Sequence, residues 1–265
     1  MRRQQMRCWE RPLERLKEWD PMTQITQVGS STARRRRRAA PTSEAGRIVD
    51  ARYRLLAKVD SGGMGDVYVA ERLAHGGQCA LKLLRPMRAD ANAEARFFRE
   101  ATLASRVAHP NLVAIEDFGR DGGDGQPFLV MEWLDGTSLA ARLRSVPLSV
   151  PDAVRIARYV LAGLSAVHST GVVHRDVKPG NIFLARDAHG QSTVRLLDFG
   201  LAKLPETDEL NLTQMGMFVG TPEYVAPEQA LGECVDARTD IYALGATLYE
   251  MVTGQPPFIG KNFAH

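Results

Sequence analysis

His174-Arg175-Asp176-Val177-Lys178-Pro179-Gly180-Asn181 stands near the middle of the chain, and Asp198-Phe199-Gly200 begins seventeen residues after Asn181. Ala226-Pro227-Glu228 follows. Each fixed residue has roughly a one-in-twenty chance of occurring, so an ordered set of this size is not coincidence. Upstream lies Asp60-Ser61-Gly62-Gly63-Met64-Gly65-Asp66-Val67. Its glycines let a hairpin lie flat over a nucleotide and aim backbone N–H groups at phosphates. Lys82 sits in the apolar stretch Cys79-Ala80-Leu81-Lys82, and a lysine in such a strand needs a charge partner.

Around these landmarks the first half reads as strands. The segments are Tyr53–Val59, Val67–Ala70, Cys79–Leu84, Leu112–Phe118 and Phe128–Glu132, with one helix over Ala93–Val107. Mostly strands with one helix predicts a small antiparallel lobe. After Gly136 the pattern turns helical. Ser149-Val150-Pro151-Asp152 opens a long helix, with proline in the first turn and an acid near its positive end. Val160, Leu164 and Val167 give it an apolar stripe. A second long helix runs from about Arg238 to Val252.

The ordered motifs resemble the eukaryotic-type Ser/Thr protein kinases, most closely their bacterial members. The resemblance covers about Tyr53 to Phe258 and implies an α+β, two-lobed protein-kinase-like fold. In the glycine-rich motif Gly62, Gly65 and Val67 match, while Asp60 replaces the first glycine. The resemblance gives Lys82 the ATP phosphates and Glu100 as partners. Ala80 and Val67 would line the nucleotide site, Met131 matches the gatekeeper, and the backbones of Glu132 and Leu134 would bind the adenine edge. Asp176 would accept the proton of the substrate hydroxyl, and Lys178 would reach the γ-phosphate. Asn181 and Asp198 would supply oxygen ligands to Mg²⁺. Asp240 matches a buried aspartate that holds the backbone amides of the catalytic loop, and His174 a packed scaffold residue. Arg175 implies control by a phosphate on the segment from Asp198 to Glu228. There Thr213 matches an activating threonine, and Thr221 a threonine bridging Asp176 and Lys178. The implied cofactors are ATP and Mg²⁺, and the implied partner is a protein substrate bearing Ser or Thr.

Composition fits an ordinary globular protein, with 44% hydrophobic and 25% charged residues. No apolar run approaches the roughly 18 residues of a membrane helix, and no signal peptide is legible. Cys8, Cys79 and Cys234 fit neither a zinc site nor a disulfide framework, which suggests a reducing, cytoplasmic compartment. The net charge of +3 hides an asymmetry, since residues 1–48 carry 12 Lys/Arg against 5 Asp/Glu. Arg34 to Arg38 form a self-repelling run. We therefore expect a basic, disordered leader over 1–48 and a kinase domain over 49–265, with its lobes meeting near Trp133 and Leu134. Trp9, Leu13 and Leu16 allow a short amphipathic helix in the leader. No aromatic residues interleave with the arginines, so clear nucleic-acid or membrane binding is not expected.

The resemblance ends at Pro256-Pro257-Phe258, short of the family's last helices. This implies a C-terminally truncated lobe, with Leu244, Leu248 and Met251 exposed, self-association through that surface, and Glu228 without its cation. The leading reading is an ATP-dependent Ser/Thr kinase. The alternative is an inactive truncated kinase acting as a nucleotide-binding or scaffold protein. A nucleic-acid-binding module built on the basic tail is the third.

Overall fold

Alternation decides the first lobe. Along Gln78–Leu84 (β4), Cys79, Leu81 and Leu83 point to one face, while Ala80, Lys82 and Leu84 point to the other. Phe128 and Val130 of Pro127–Glu132 (β6) share the first face, and Leu129 and Met131 the second. The first face packs with Val49, Tyr53, Leu55, Tyr68 and Ala70 into a small core. The second face joins the main core, which continues into the helical half of the molecule. Lys82 thus lies on the face that the two halves share.

The computed structural model describes residues 44–62, 65–85, 91–186, 190–198 and 222–259. The arginine run and the helix expected around Trp9 lie outside the described residues. Ile48–Val49 (β1), Tyr53–Gly62 (β2), Gly65–Arg72 (β3), β4, Ile115–Arg120 (β5) and β6 form one antiparallel sheet in the order β1-β2-β3-β4-β6-β5. Ala91–Ala104 (α1) packs beside it through Phe97 and Phe98, whose rings meet edge-on at 5.2 Å, and Phe98 also approaches Phe118 of β5. Leu112, expected in a strand, makes instead an isolated parallel bridge to Leu196. Asn111 donates its side-chain amide to Val194 O at 2.9 Å, which ties the segment before β5 to the second lobe.

That lobe begins with Asp135–Ser138 (β7) and Leu139–Leu143 (α2). The first long helix is Val150–His168 (α3), capped by the Ser149 hydroxyl, which accepts from Asp152 N. Ile182–Arg186 (β8) and Ser192–Leu196 (β9) complete a three-stranded sheet in the order β7-β8-β9. Short Pro227–Ala230 (α4) precedes the second long helix, Ala237–Thr253 (α5). Asp236 caps the start of α5, and Gly254 closes it at φ 81°. Among the described residues no helix is long and apolar enough to cross a membrane.

The expected exposure of α5 is corrected. Leu244 and Met251 are buried and Leu248 is partly buried against the main core, because this stripe faces α3. The exposed apolar residues of α5 are Ile241 and Tyr249, followed by Phe258 and Ile259 beyond its end. Glu228, expected to stand without its cation, is half-buried, and its carboxylate accepts from the Thr239 hydroxyl at 2.6 Å. The Tyr224 hydroxyl donates to Glu250, tying the turn before α4 to α5.

Residues 44–48, assigned from the sequence to the leader, are packed onto the first lobe. Arg47 reaches Asp121 at 2.6 Å and Asp124 at 2.8 Å, in the turn between β5 and β6. Burial pushes the Asp121 carboxyl up, but Arg47 and the N–H groups of Asp50 and Gly123 outweigh it and hold the group below the usual carboxylate range. A lowered folded-state value contributes stability above the unfolded value, and that stability is lost as pH falls through the folded one. Arg47→Gln should therefore cost about 1–2 kcal/mol at neutral pH, and the deficit should shrink as the medium is acidified below the carboxylate range. Thermal melts of both proteins across pH check this; a deficit that stays constant into acid would refute it.

Candidate active site

Asp240, fully buried in the first turn of α5, organises the loop before Asp176. Its carboxylate accepts from His174 N at 2.8 Å, Arg175 N at 2.7 Å and His168 Nε2 at 2.6 Å. His174 is itself fully buried. Its Nδ1 accepts from Asp176 N at 3.3 Å, so the ring proton sits on Nε2 and is donated to Leu197 O at 2.8 Å. The histidine is thereby a spacer between the loop and the residue before Asp198. Arg175 at φ 63° and Asp198 at φ 47° are both in the left-handed region, which a non-glycine residue occupies only when its surroundings hold it there.

Asp176 is held from two sides. Asn181 Nδ2 donates to its carboxylate and to its backbone carbonyl, both at 2.8 Å, and Lys178 Nζ lies 3.0 Å from Oδ2. Because the amide nitrogen of Asn181 is spent on Asp176, its side-chain oxygen is the atom that a ligand could reach. Asn181 O in turn accepts from Leu197 N at 2.8 Å, which seats Asp198 beside this loop. Lys82 Nζ lies 2.9 Å from Asp198 Oδ2. Asp176, Lys178, Asn181, Asp198 and Lys82 thus form one connected cluster at the junction of the two lobes.

The carboxylate on Lys82 is that of Asp198 rather than Glu100, the partner the resemblance implied. Glu100 lines a small cavity with Arg99, Leu103, Val172, Val173 and Arg175. Being on α1, it goes where that helix packs, and strand alternation does not fix this. Val67 pairs with Lys82 across β3 and β4, and Ala80 pairs with Met131 across β4 and β6, so the four share one face of the sheet on neighbouring rungs. Glu132 closes β6: its N–H donates to Ala114 O, and its side chain accepts from Ala114 N at 2.8 Å. Leu134 packs, partly buried, against the main core.

The glycine-rich hairpin has a brace that sequence reading missed. Asp66 accepts from the Ser61 hydroxyl at 2.6 Å and pairs with Lys58 at 2.9 Å. The Ser61 bond, and after it Lys58, holds its carboxyl below the usual range. Asp60 turns onto Ser61 N at 2.8 Å. A side chain at Gly65 would stand 2.1 Å from Leu83 O, whereas one at Gly62 would meet nothing nearer than 4.0 Å. Two further contacts carried no sequence signal. They are the His168–Asp240 bond and a bond at 3.1 Å from Gln229 Nε2 to Arg175 O. Thr213, Thr221, Phe199 and Gly200 lie outside the described residues.

The protein kinase domain family matches residues 53–265. The chain belongs to the protein kinase family. Serine/threonine-protein kinase pkn2 of Myxococcus xanthus is 42% identical over 221 residues, covering 82% of this chain and 26% of the relative. Serine/threonine-protein kinase pkn3 of the same organism is 42% identical over 217 residues, covering 80% of this chain and 40% of the relative. The kinase domain thus spans well under half the length of these curated relatives. In three dimensions it resembles the Mycobacterium tuberculosis PknI kinase domain, with a TM-score of 0.65 and 30% identity. That match covers 82% of this chain and 80% of the solved one. The connected cluster described above lies within the matched residues.

Proposed function

We propose that this chain is a Ser/Thr protein kinase, transferring the γ-phosphate of ATP to a hydroxyl on a protein substrate with Mg²⁺ as the metal. The observation that carries the reading is the Asp176 carboxylate, oriented by Asn181 and Lys178 and joined through Asn181 and Leu197 to the Lys82–Asp198 pair. The donor set fits the metal: one carboxylate and one amide oxygen are hard ligands, which magnesium takes a few at a time. When bound, the metal neutralises charge on the phosphate oxygens. Asp176 orients the substrate hydroxyl and accepts its proton as the oxygen bonds to the γ-phosphorus and the bond to the β-phosphate breaks, releasing ADP. Lys178 lies beside Asp176, where it meets charge developing on the transferred group. Lys82 holds the nucleotide phosphates, and the backbones of Glu132 and Leu134 take the adenine edge beneath Val67 and Ala80. Gly62 leaves the hairpin backbone bare for the phosphates.

Control follows from Arg175. Its Nε and one terminal nitrogen are buried with no hydrogen-bond partner among the described residues. A buried cation in that state attracts an anion, and the phosphate of phosphorylated Thr213 supplies one. Thr221 is the further hydroxyl of this segment that we assign to the substrate platform. The reading is of a cytoplasmic enzyme acting on proteins. Incubation of the purified chain with MgATP and a generic basic protein should label the protein substrate, and mass spectrometry should place autophosphorylation on Thr213. No incorporation into either protein would overturn the kinase reading in favour of a scaffold; a phosphorylated chain with unmodified Thr213 would overturn the regulatory part alone.

A further inference from the structure

The peptide unit joining Arg175 to Asp176 is fixed at both ends. Its N–H donates to His174 Nδ1 at 3.3 Å, and its carbonyl accepts from Gln229 Nε2 at 3.1 Å. The unit ahead of it is held through Arg175 N by Asp240. His174 and Asp240 belong to the buried scaffold, but Gln229 sits in α4, directly after Ala226-Pro227-Glu228. Its other side-chain atom, Oε1, accepts from Ala226 N at 3.3 Å. One amide side chain therefore links the start of α4 to the carbonyl immediately before the catalytic aspartate. Arg175 at φ 63° makes this link consequential, because a left-handed arginine relaxes to a commoner conformation when its peptide plane is released. Such a rotation would swing Asp176.

We infer that Gln229 is a positioning residue: by donating to Arg175 O it sets the orientation of Asp176, and it couples that orientation to the segment ending at Ala226. The inference rests on the kinase reading of Asp176. The structure also separates it from a simple capping role. Capping uses the acceptor, Oε1, on Ala226 N; positioning uses the donor, Nε2, on Arg175 O. Gln229→Glu keeps an acceptor and a shape suited to the third position of a helix, and removes the donor. Gln229→Met keeps the length and removes both.

The test is made on the full chain. Steady-state phosphate transfer, melting temperature and amide hydrogen exchange over residues 174–178 are measured for the unsubstituted protein, Gln229→Glu and Gln229→Met. Loss of one hydrogen bond that orients the base should lower kcat about tenfold in both variants. The KM for ATP should be unchanged, because the nucleotide contacts lie elsewhere. The melting temperature should hold in Gln229→Glu and fall in Gln229→Met, and exchange at Arg175 to Val177 should quicken in both. A Gln229→Glu protein with unaltered kcat and unaltered exchange would overturn the inference, and so would a Gln229→Met protein whose only change is a lower melting temperature. If the unsubstituted chain transfers no phosphate, the kinase reading fails by itself. The exchange comparison then still decides whether Gln229 holds the loop.

Discussion

Asp176→Ala and Asp198→Ala should each lower phosphate transfer by about 10²–10⁴-fold with the fold intact. Neither carboxylate is part of the apolar packing. Without the Asp176 carboxylate, Asn181 Nδ2 keeps its bond to the Asp176 backbone carbonyl, and Lys178, 23% exposed, can turn to water. The side chain of Asp198 is 31% exposed, but that of Lys82 is only 11% exposed and would lose its carboxylate partner, so Asp198→Ala should also melt somewhat lower while remaining folded. On the proposed reading of the site, what disappears is chemistry: proton acceptance and hydroxyl orientation in one case, a metal-ligating oxygen in the other. Radiolabelled phosphate incorporation measured beside circular dichroism is the check. Turnover like that of the unsubstituted protein in Asp198→Ala would remove the basis of the mechanism, and unfolding of either variant would contradict the account of their packing.

The other large effect belongs to Asp240, and it strikes stability and activity together. Asp240→Ala strips acceptors from His174 N and Arg175 N in a region closed to water. Each buried donor left unsatisfied costs about 1–3 kcal/mol, so the melting temperature should fall by roughly 10 °C. The loop carrying Asp176 would lose its anchor to α5, so transfer per folded molecule should drop as well. Thermal melts combined with activity normalised to the folded fraction separate the two effects. A stable variant would show that the carboxylate is not the anchor. A destabilised variant of full specific activity would show that the loop holds its shape by other means.

Legibility in the sequence followed the range of the interactions. Tyr53, Leu55, Leu81 and Val130 announce strands because alternation is a local property, and the large sheet was readable from them. The opening of α3 at Ser149 is equally local. The small β7-β8-β9 sheet was not read: its strands are 4 or 5 residues long, and Gly136 at φ 154° looks like a turn rather than a strand position. The buried face of α5 was misjudged because the helix is apolar on more than one side. Only packing against α3 selects Leu244 and Met251 over Ile241 and Tyr249. In the site, motif order was enough to pick out Asp176, Asn181 and Asp198 as candidates. Which carboxylate sits on Lys82, what Glu228 bonds to and where Gln229 reaches are pairings between residues 116, 11 and 54 positions apart, which no local pattern specifies.

The hairpin glycines look alike on the page and answer to different masters. Gly65 is barred from carrying a side chain by the carbonyl of its own neighbouring strand, at Leu83, whether or not a nucleotide is ever bound. A side chain at Gly62 would meet no described atom nearer than 4.0 Å, so on the proposed reading it is the phosphates that give it a reason to be bare. A descendant of this fold that had abandoned nucleotides would therefore still display the second glycine and would be free to discard the first. In surveys of such sequences, the residue at the position of Gly62 is the one to consult when living enzymes are to be told from their silent copies.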